Sequence, residues 1–126
     1  MSKRRQIEQR VIQAAESALY RQHYVSPLDV LLGMGSLKSN DLQDWKKGSI
    51  PYLEKVIQGS LGKISYAMKC FRSWGHKKGL KQSQTAYFAK TRDTKRKLRF
   101  SKSGDLKIEE AYQTHYVSPL KKKKKQ

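Results

Sequence analysis

Apolar residues recur along this chain at two periods, and the change of period divides it. Ile7, Val11, Ala14, Ala15, Ala18 and Leu19 step by three and four positions, which predicts an amphipathic helix over residues 5–22. Ser26-Pro27-Leu28-Asp29 follows. Serine at the cap, proline in the first turn and an acid at the third position are a helix-start signal. A short apolar helix through Leu31 and Leu32 is expected, ended by Gly33 and Gly35. A third short helix is expected over about 39–47, with Leu42 and Trp45 inward and Gly48 as its stop. The longest series opens at Ser49-Ile50-Pro51 and runs Leu53, Val56, Ile57, Leu61, Ile64, Ala67, Met68, Phe71, Trp74. At about 100° per residue these positions share an arc of roughly 140°. Lys55, Lys69, Arg72, His76 and Lys77 fall opposite, with Lys63 at the border. Gly59 and Gly62 lie on the polar side, and each costs about 1 kcal/mol relative to alanine in a helix. An unbroken or slightly kinked helix ending at Gly79 is the expectation; a break near Gly59 is the alternative.

Beyond Gly79 the period shortens. Thr85-Ala86-Tyr87-Phe88-Ala89 and Lys97-Leu98-Arg99-Phe100-Ser101 read as two strands of a hairpin. Phe88 would pack beside Leu98 or Phe100, with Lys97 and Arg99 on the other face. Arg92, Lys95 and Arg96 would stand at the tip. A last helix is expected from Asp105, carrying Leu106, Ile108, Ala111 and Tyr112 inward. The fold class that follows is mainly α: a small domain of four or five helices with one basic β-hairpin, comparable to a winged helical module. It would span 1–120 as one unit, with the hairpin at about 84–102 and a disordered polylysine tail at 121–126.

Charge changes this picture from a small helical domain to a surface with a purpose. The chain has 126 residues, with 28 Lys plus Arg against 10 Asp plus Glu, a formal net charge of +18. Such an imbalance repels itself unless a polyanion relieves it, and nucleic acid is the usual one. The excess is not spread evenly. Residues 22–60 are neutral overall, whereas residues 61–103 hold two-thirds of it together with Tyr66, Phe71, Trp74, Tyr87, Phe88 and Phe100. Cations interleaved with aromatics suit phosphates and unstacked bases, although the aromatics taken singly read as core. The residues expected to meet phosphates are Lys63, Lys69, Arg72, Lys77, Lys78, Lys81, Arg92, Lys95, Arg96, Lys97, Arg99 and Lys102. The polycation Lys121 to Lys125 would add unspecific phosphate affinity or serve only as a solubilising tail.

One further pattern stands out. His23-Tyr24-Val25-Ser26-Pro27-Leu28 recurs as His115-Tyr116-Val117-Ser118-Pro119-Leu120, and Tyr20 and Tyr112 also match. The plain reading is a helix exit used twice. The sharper one brings His23 and His115 together as an acid–base pair for phosphodiester cleavage, a small metal-independent ribonuclease. No spacing specifies a carboxylate or lysine partner for them, so a binding protein rather than an enzyme is the expectation. There is no phosphate loop followed by Lys and Ser or Thr, and no zinc-ligand spacing, so no cofactor or metal is expected. Cys70, the single cysteine, reads as lying toward the polar side of the long helix near Lys69 and Arg72, where cations lower a thiol's pKa. It precludes an intramolecular disulfide. With no apolar run long enough for a bilayer, this points to a cytoplasmic protein without a membrane partner.

The run Leu31, Leu37, Leu42, Trp45, Lys46, Lys47, Gly48 and Pro51 resembles the helix-turn-helix of phage-repressor-type regulators. The resemblance covers about residues 27–51. It departs from the family where Ser36, beside Gly35, stands at the turn's usual glycine, and it puts Asp41 and Asp44 on the recognition helix. It implies that Ser39, Asn40 and Gln43 read bases, and so sets DNA slightly ahead of RNA as the partner. An RNA- or ribosome-associated role, a homodimer through the neutral region, and an adaptor for an acidic protein are the other readings.

Overall fold

The structure is a computed structural model and describes residues 3–89 and 96–119. Five helices and a small three-stranded antiparallel sheet make a mainly α domain. The first helix, α1 (Lys3–Gln22), buries Val11, Ala14, Ala15 and Ala18. Its alanines let the second helix, α2 (Pro27–Met34), approach closely: a Cβ on Gly33 would stand 2.5 Å from that of Ala14. Gly33 is therefore a crossing point inside α2, and Gly35 alone ends the helix, at φ 79° with its N–H on the Leu31 and Leu32 carbonyls. The start of α2 is the expected capping box. Asp29 N–H donates to Ser26 Oγ at 3.2 Å, and the Asp29 carboxylate accepts from Ser26 N–H at 2.9 Å. Gln22 Nε2 also donates to that carboxylate at 2.7 Å, which ties the end of α1 to α2.

Helix α3 (Ser39–Lys46) turns Leu42 and Trp45 inward, and Gly48 reverses the chain at φ 86°. The long helix expected from residue 49 is divided. Leu53–Lys55 forms a 3-10 turn, Gly59 takes φ 108°, and α4 starts only at Leu61 and runs to Lys77, capped by Ser60. The backbone at 53–54 has another partner: Leu53 and Glu54 donate to the carbonyls of Arg99 and Phe100 at 3.0 and 2.9 Å. That pairing, with a glycine free to adopt positive φ, outweighs a continuous helix.

The expected hairpin is reduced to one antiparallel bridge, Phe88 with Lys97, flanked by hydrogen bonds from Ala89 to Arg96 and from Leu98 to Tyr87. On its second segment Leu98 and Phe100 lie inward and Lys97 and Arg99 outward as expected, but the first segment presents the opposite face. Tyr87 turns inward beside Phe100 and Trp45, with Ala89 and Leu98 buried, whereas Phe88 is half exposed on the same side as Lys97 and Arg99. The sheet arises elsewhere, from β1 (Tyr24–Val25), β2 (Lys81–Gln84) and β3 (Thr114–Val117) in the order β1-β3-β2. The two copies of the repeated hexapeptide thus pair with each other, Tyr24 against Val117 and Val25 against Tyr116.

The core has two parts with α2 between them. Leu28 and Leu31 join Trp45, Leu53, Leu98, Phe100 and Tyr112 on one side. Val30 joins Val11, Val25, Phe71, Trp74 and Tyr116 on the other. The last helix, α5 (Leu106–Gln113), is capped by Asp105 but seats only Tyr112 of its expected inward residues. Leu106 and Ile108 are 79% and 41% exposed, because α5 leans on the molecule by one edge. What holds it is Glu109, whose carboxylate accepts from Phe100 N–H, Ser101 N–H and Ser101 Oγ at 2.9, 2.7 and 2.6 Å. Among the described residues, no helix is long and apolar enough to cross a membrane.

Candidate nucleic-acid interface

On α4 the inward positions are Ile64, Ala67, Cys70, Phe71, Trp74 and Gly75. The opposite stripe, spaced four, three and four, is Ser65, Lys69, Arg72 and His76, all exposed. Gly75 lies against the Tyr116 ring so closely that a Cβ would stand 2.6–2.7 Å from Cε1 and Cγ. This contact brings β3 against the helix and places β2, paired to β3, beside the cationic stripe. Every residue of β2 is exposed. Gln82 and Gln84, two residues apart, share one face. Gln82 Nε2 stands 3.4 Å from His76 Nε2, and Gln84 Nε2 donates to Thr114 Oγ1 at 2.6 Å. Helix α5 closes the far side with Lys107. The result is a groove of about 400 Å³ whose polar walls are Lys69, Arg72, Gln82, Gln84, Lys107 and Thr114, with Glu110 as its one acid.

The other expected cations divide by role. All ten that the structure describes are exposed. Lys78 pairs with Glu16 at 3.0 Å, the one ion pair among the described residues. Glu16 lies below the ordinary carboxylate value chiefly because it accepts the Trp74 indole N–H at 2.9 Å; partial burial opposes this and Lys78 adds to it. Lys63 and Lys77 flank α4 at its two ends, and Lys81 opens β2. Arg96 and Arg99 are tied to the scaffold. Arg96 donates to the Gly48 carbonyl at 2.8 Å, and Arg99 to the carbonyls of Ser101, at 2.9 Å, and Lys102. Their charge stays at the surface, but their geometry serves the loop. Lys97 is exposed beside Phe88, and Lys102 stands near Lys107 across a second, apolar groove. Arg92 and Lys95 lie outside the described residues, as does the Lys121 to Lys125 tail.

Of the groove's polar walls, Lys107, Gln82, Gln84 and Thr114 were not among the sequence candidates. Lys107 reads as an ordinary helix flank. Gln82 and Gln84 sit in Lys-Gln-Ser-Gln, a run with no apolar alternation to mark a strand. Only the pairing with β3 makes them part of a surface.

Cys70 is buried, not on the polar side, and burial raises its thiol pKa despite Lys69. The histidine pair is not assembled either. The antiparallel register puts His23 and His115 at opposite ends of the paired repeat. His23 is exposed at φ 66°, and its carbonyl accepts from Ser118 N–H at 2.9 Å. His115 Nε2 lies 2.8 Å from Tyr87 Oη, its ring is stacked on Tyr24, and burial lowers its pKa. Tyr87 is raised to about 12 by the same burial. On α3, Ser39, Asn40 and Gln43 are exposed, and so is Asp44. No family model, curated protein or solved structure matches this chain.

Proposed function

We propose that this chain binds nucleic acid, with Lys69, Arg72 and Lys107 meeting phosphates around the groove between α4, β2 and α5. Lys63, Lys77, Lys81 and Lys102 widen the cationic surface. The observation that carries the reading is the convergence of exposed cations from two separate helices, Lys69 and Arg72 of α4 and Lys107 of α5, on one concave surface that holds a single acid, Glu110. In a chain of net charge +18 these groups repel one another unless a polyanion lies between them. Lysine and arginine release counterions from phosphates, so such binding weakens steeply with salt.

The test is a charge reversal, Lys69→Glu with Arg72→Glu, read by fluorescence anisotropy on labelled oligonucleotides across a salt series. Both side chains are exposed and outside any ion pair among the described residues, so folding is expected to be unchanged. Two lost phosphate contacts reduce the slope of log K against log salt by about 1.4 on single strands and about 1.8 on duplex DNA. An unchanged slope and affinity refute the assignment of the groove. Absence of binding by the wild-type chain at low salt refutes the function.

A further inference from the structure

The cationic groove does not end at α5. It continues into a second groove of about 760 Å³, and the two share Ser65, Met68, Lys107 and Ala111. The second groove is apolar, walled by Leu61, Ile64 and Met68 of α4 and by Ile108 and Ala111 of α5 over Tyr112. Leu61 and Ile108 are 67% and 41% exposed along it. Lys102 and Lys107 stand at its rim. Its acid, Glu54, is already engaged, accepting from Tyr112 Oη at 3.0 Å and from Lys102 N–H at 3.1 Å. The channel between α4 and α5 therefore has a cationic, amide-bearing half and a water-shunning half.

Resting on the nucleic-acid reading above, we infer that the ligand of this continuous channel is single-stranded RNA, with phosphates on Lys69, Arg72 and Lys107 and unstacked bases in the apolar half. A duplex presents phosphates on the outside and keeps its bases stacked, so it can use the cations but not the apolar wall. A single strand can use both, because its free bases gain from apolar cover. A second copy of this chain fits poorly, since Lys69, Lys102 and Lys107, which line the channel, would bring like charges of the two copies together. The choice of RNA over DNA follows from the neutral hydrogen-bonding groups beside the cations. Ser65, Gln82, Gln84 and Thr114 line the polar half, and ribose offers them a 2′-hydroxyl that deoxyribose lacks.

The experiment uses the full chain and three labelled 12-residue probes of one mixed sequence: single-stranded RNA, single-stranded DNA and blunt duplex RNA. Three proteins are compared: wild type, Ile108→Glu in the apolar wall, and Leu106→Glu. Leu106 is 79% exposed on the same helix and does not line the channel, so its variant carries the same charge change without obstructing the site. The expected result is wild-type binding of single-stranded RNA roughly tenfold tighter than of the duplex. Ile108→Glu removes roughly that advantage, while Leu106→Glu weakens all probes slightly and alike. Duplex binding as tight as single-strand binding, or equal effects of the two variants, overturns the channel. Equal affinity for the DNA strand overturns the assignment to RNA. Either of these leaves the basic surface as a nucleic-acid site, whereas no binding to any probe refutes both readings. Circular dichroism of each variant confirms that the comparison is between folded proteins.

Discussion

Gly75 is where β3, and β2 paired to it, is seated on α4, and replacing it separates packing from propensity. In the middle of a helix, glycine to alanine is ordinarily stabilising by about 1 kcal/mol. Gly62, in the first turn of the same helix, meets nothing closer than Ser60 Oγ at 4.0 Å, so Gly62→Ala should realise part of that gain. At Gly75 the same methyl would lie 2.6–2.7 Å from ring atoms of Tyr116, a distance real Cβ contacts do not show. The ring cannot easily retreat. It is buried, edge-on to Phe71 at 5.1 Å, on a strand held from both sides by β1 and β2. Overpacking of this kind costs about 1–3 kcal/mol or more. Set against the propensity gain, Gly75→Ala should be destabilising by about 1–2 kcal/mol, a loss of several degrees in melting temperature for a domain of this size. Thermal and urea unfolding of both variants, followed by circular dichroism, gives the comparison. If β3 yields instead of unfolding, β2 moves with it, so Gln82 and Gln84 leave their place beside Lys69 and Arg72 and oligonucleotide affinity falls. Gly75→Ala as stable as Gly62→Ala, with unchanged affinity, would show that Tyr116 does not seat the sheet on α4.

Two other perturbations test the scaffold. Glu109→Ala leaves the N–H groups of Phe100 and Ser101 without their acceptor in a buried loop, and should destabilise by about 3 kcal/mol. Glu109→Gln, which keeps one acceptor oxygen, should lose less, and equal urea midpoints for the two would contradict the role of the carboxylate. His115 is held below its ordinary value of 6.5 by burial, with Asp29 pulling the other way. The unfolded chain therefore takes up this proton first, so stability should fall as pH drops through about 6.5 and level off once the folded histidine also titrates. His115→Gln should flatten that part of the profile between pH 7.5 and 5.5; parallel losses in the two proteins would remove His115 as the cause.

Much of the helical framework is legible because its signals are local. The capping box of Ser26 and Asp29, the left-handed stops at Gly35 and Gly48, and the three- and four-residue inward series of α1 and α3 all act within a few residues. The candidate site was legible as charge: its cations concentrate after residue 60, and Lys69 and Arg72 fall on the outward stripe of α4 as their spacing requires. Where expectation and structure part, a distant partner intervenes. Residues 53–54 leave the helix because residues 99–100 supply their hydrogen bonds. Tyr87 takes the inward place read for Phe88 because Trp45 and Phe100 form its pocket, and in a bridge of period two a one-residue change of face reverses every neighbour.

By itself, then, the sequence determines a mainly helical domain, its caps and stops, and a strongly cationic second half, since propensity, capping and charge are carried by each short segment. The tertiary structure decides the rest. It pairs the two copies of the repeat, which are separated in sequence by residues 29–114, as neighbouring strands, and it parts the histidines that the repeat suggested joining. It also makes the exposed Lys-Gln-Ser-Gln run a strand and opens a channel between α4 and α5. Each of these depends on which surfaces meet once the chain is closed, and a close approach such as Gly75 on Tyr116 is a property of two segments that neither encodes alone.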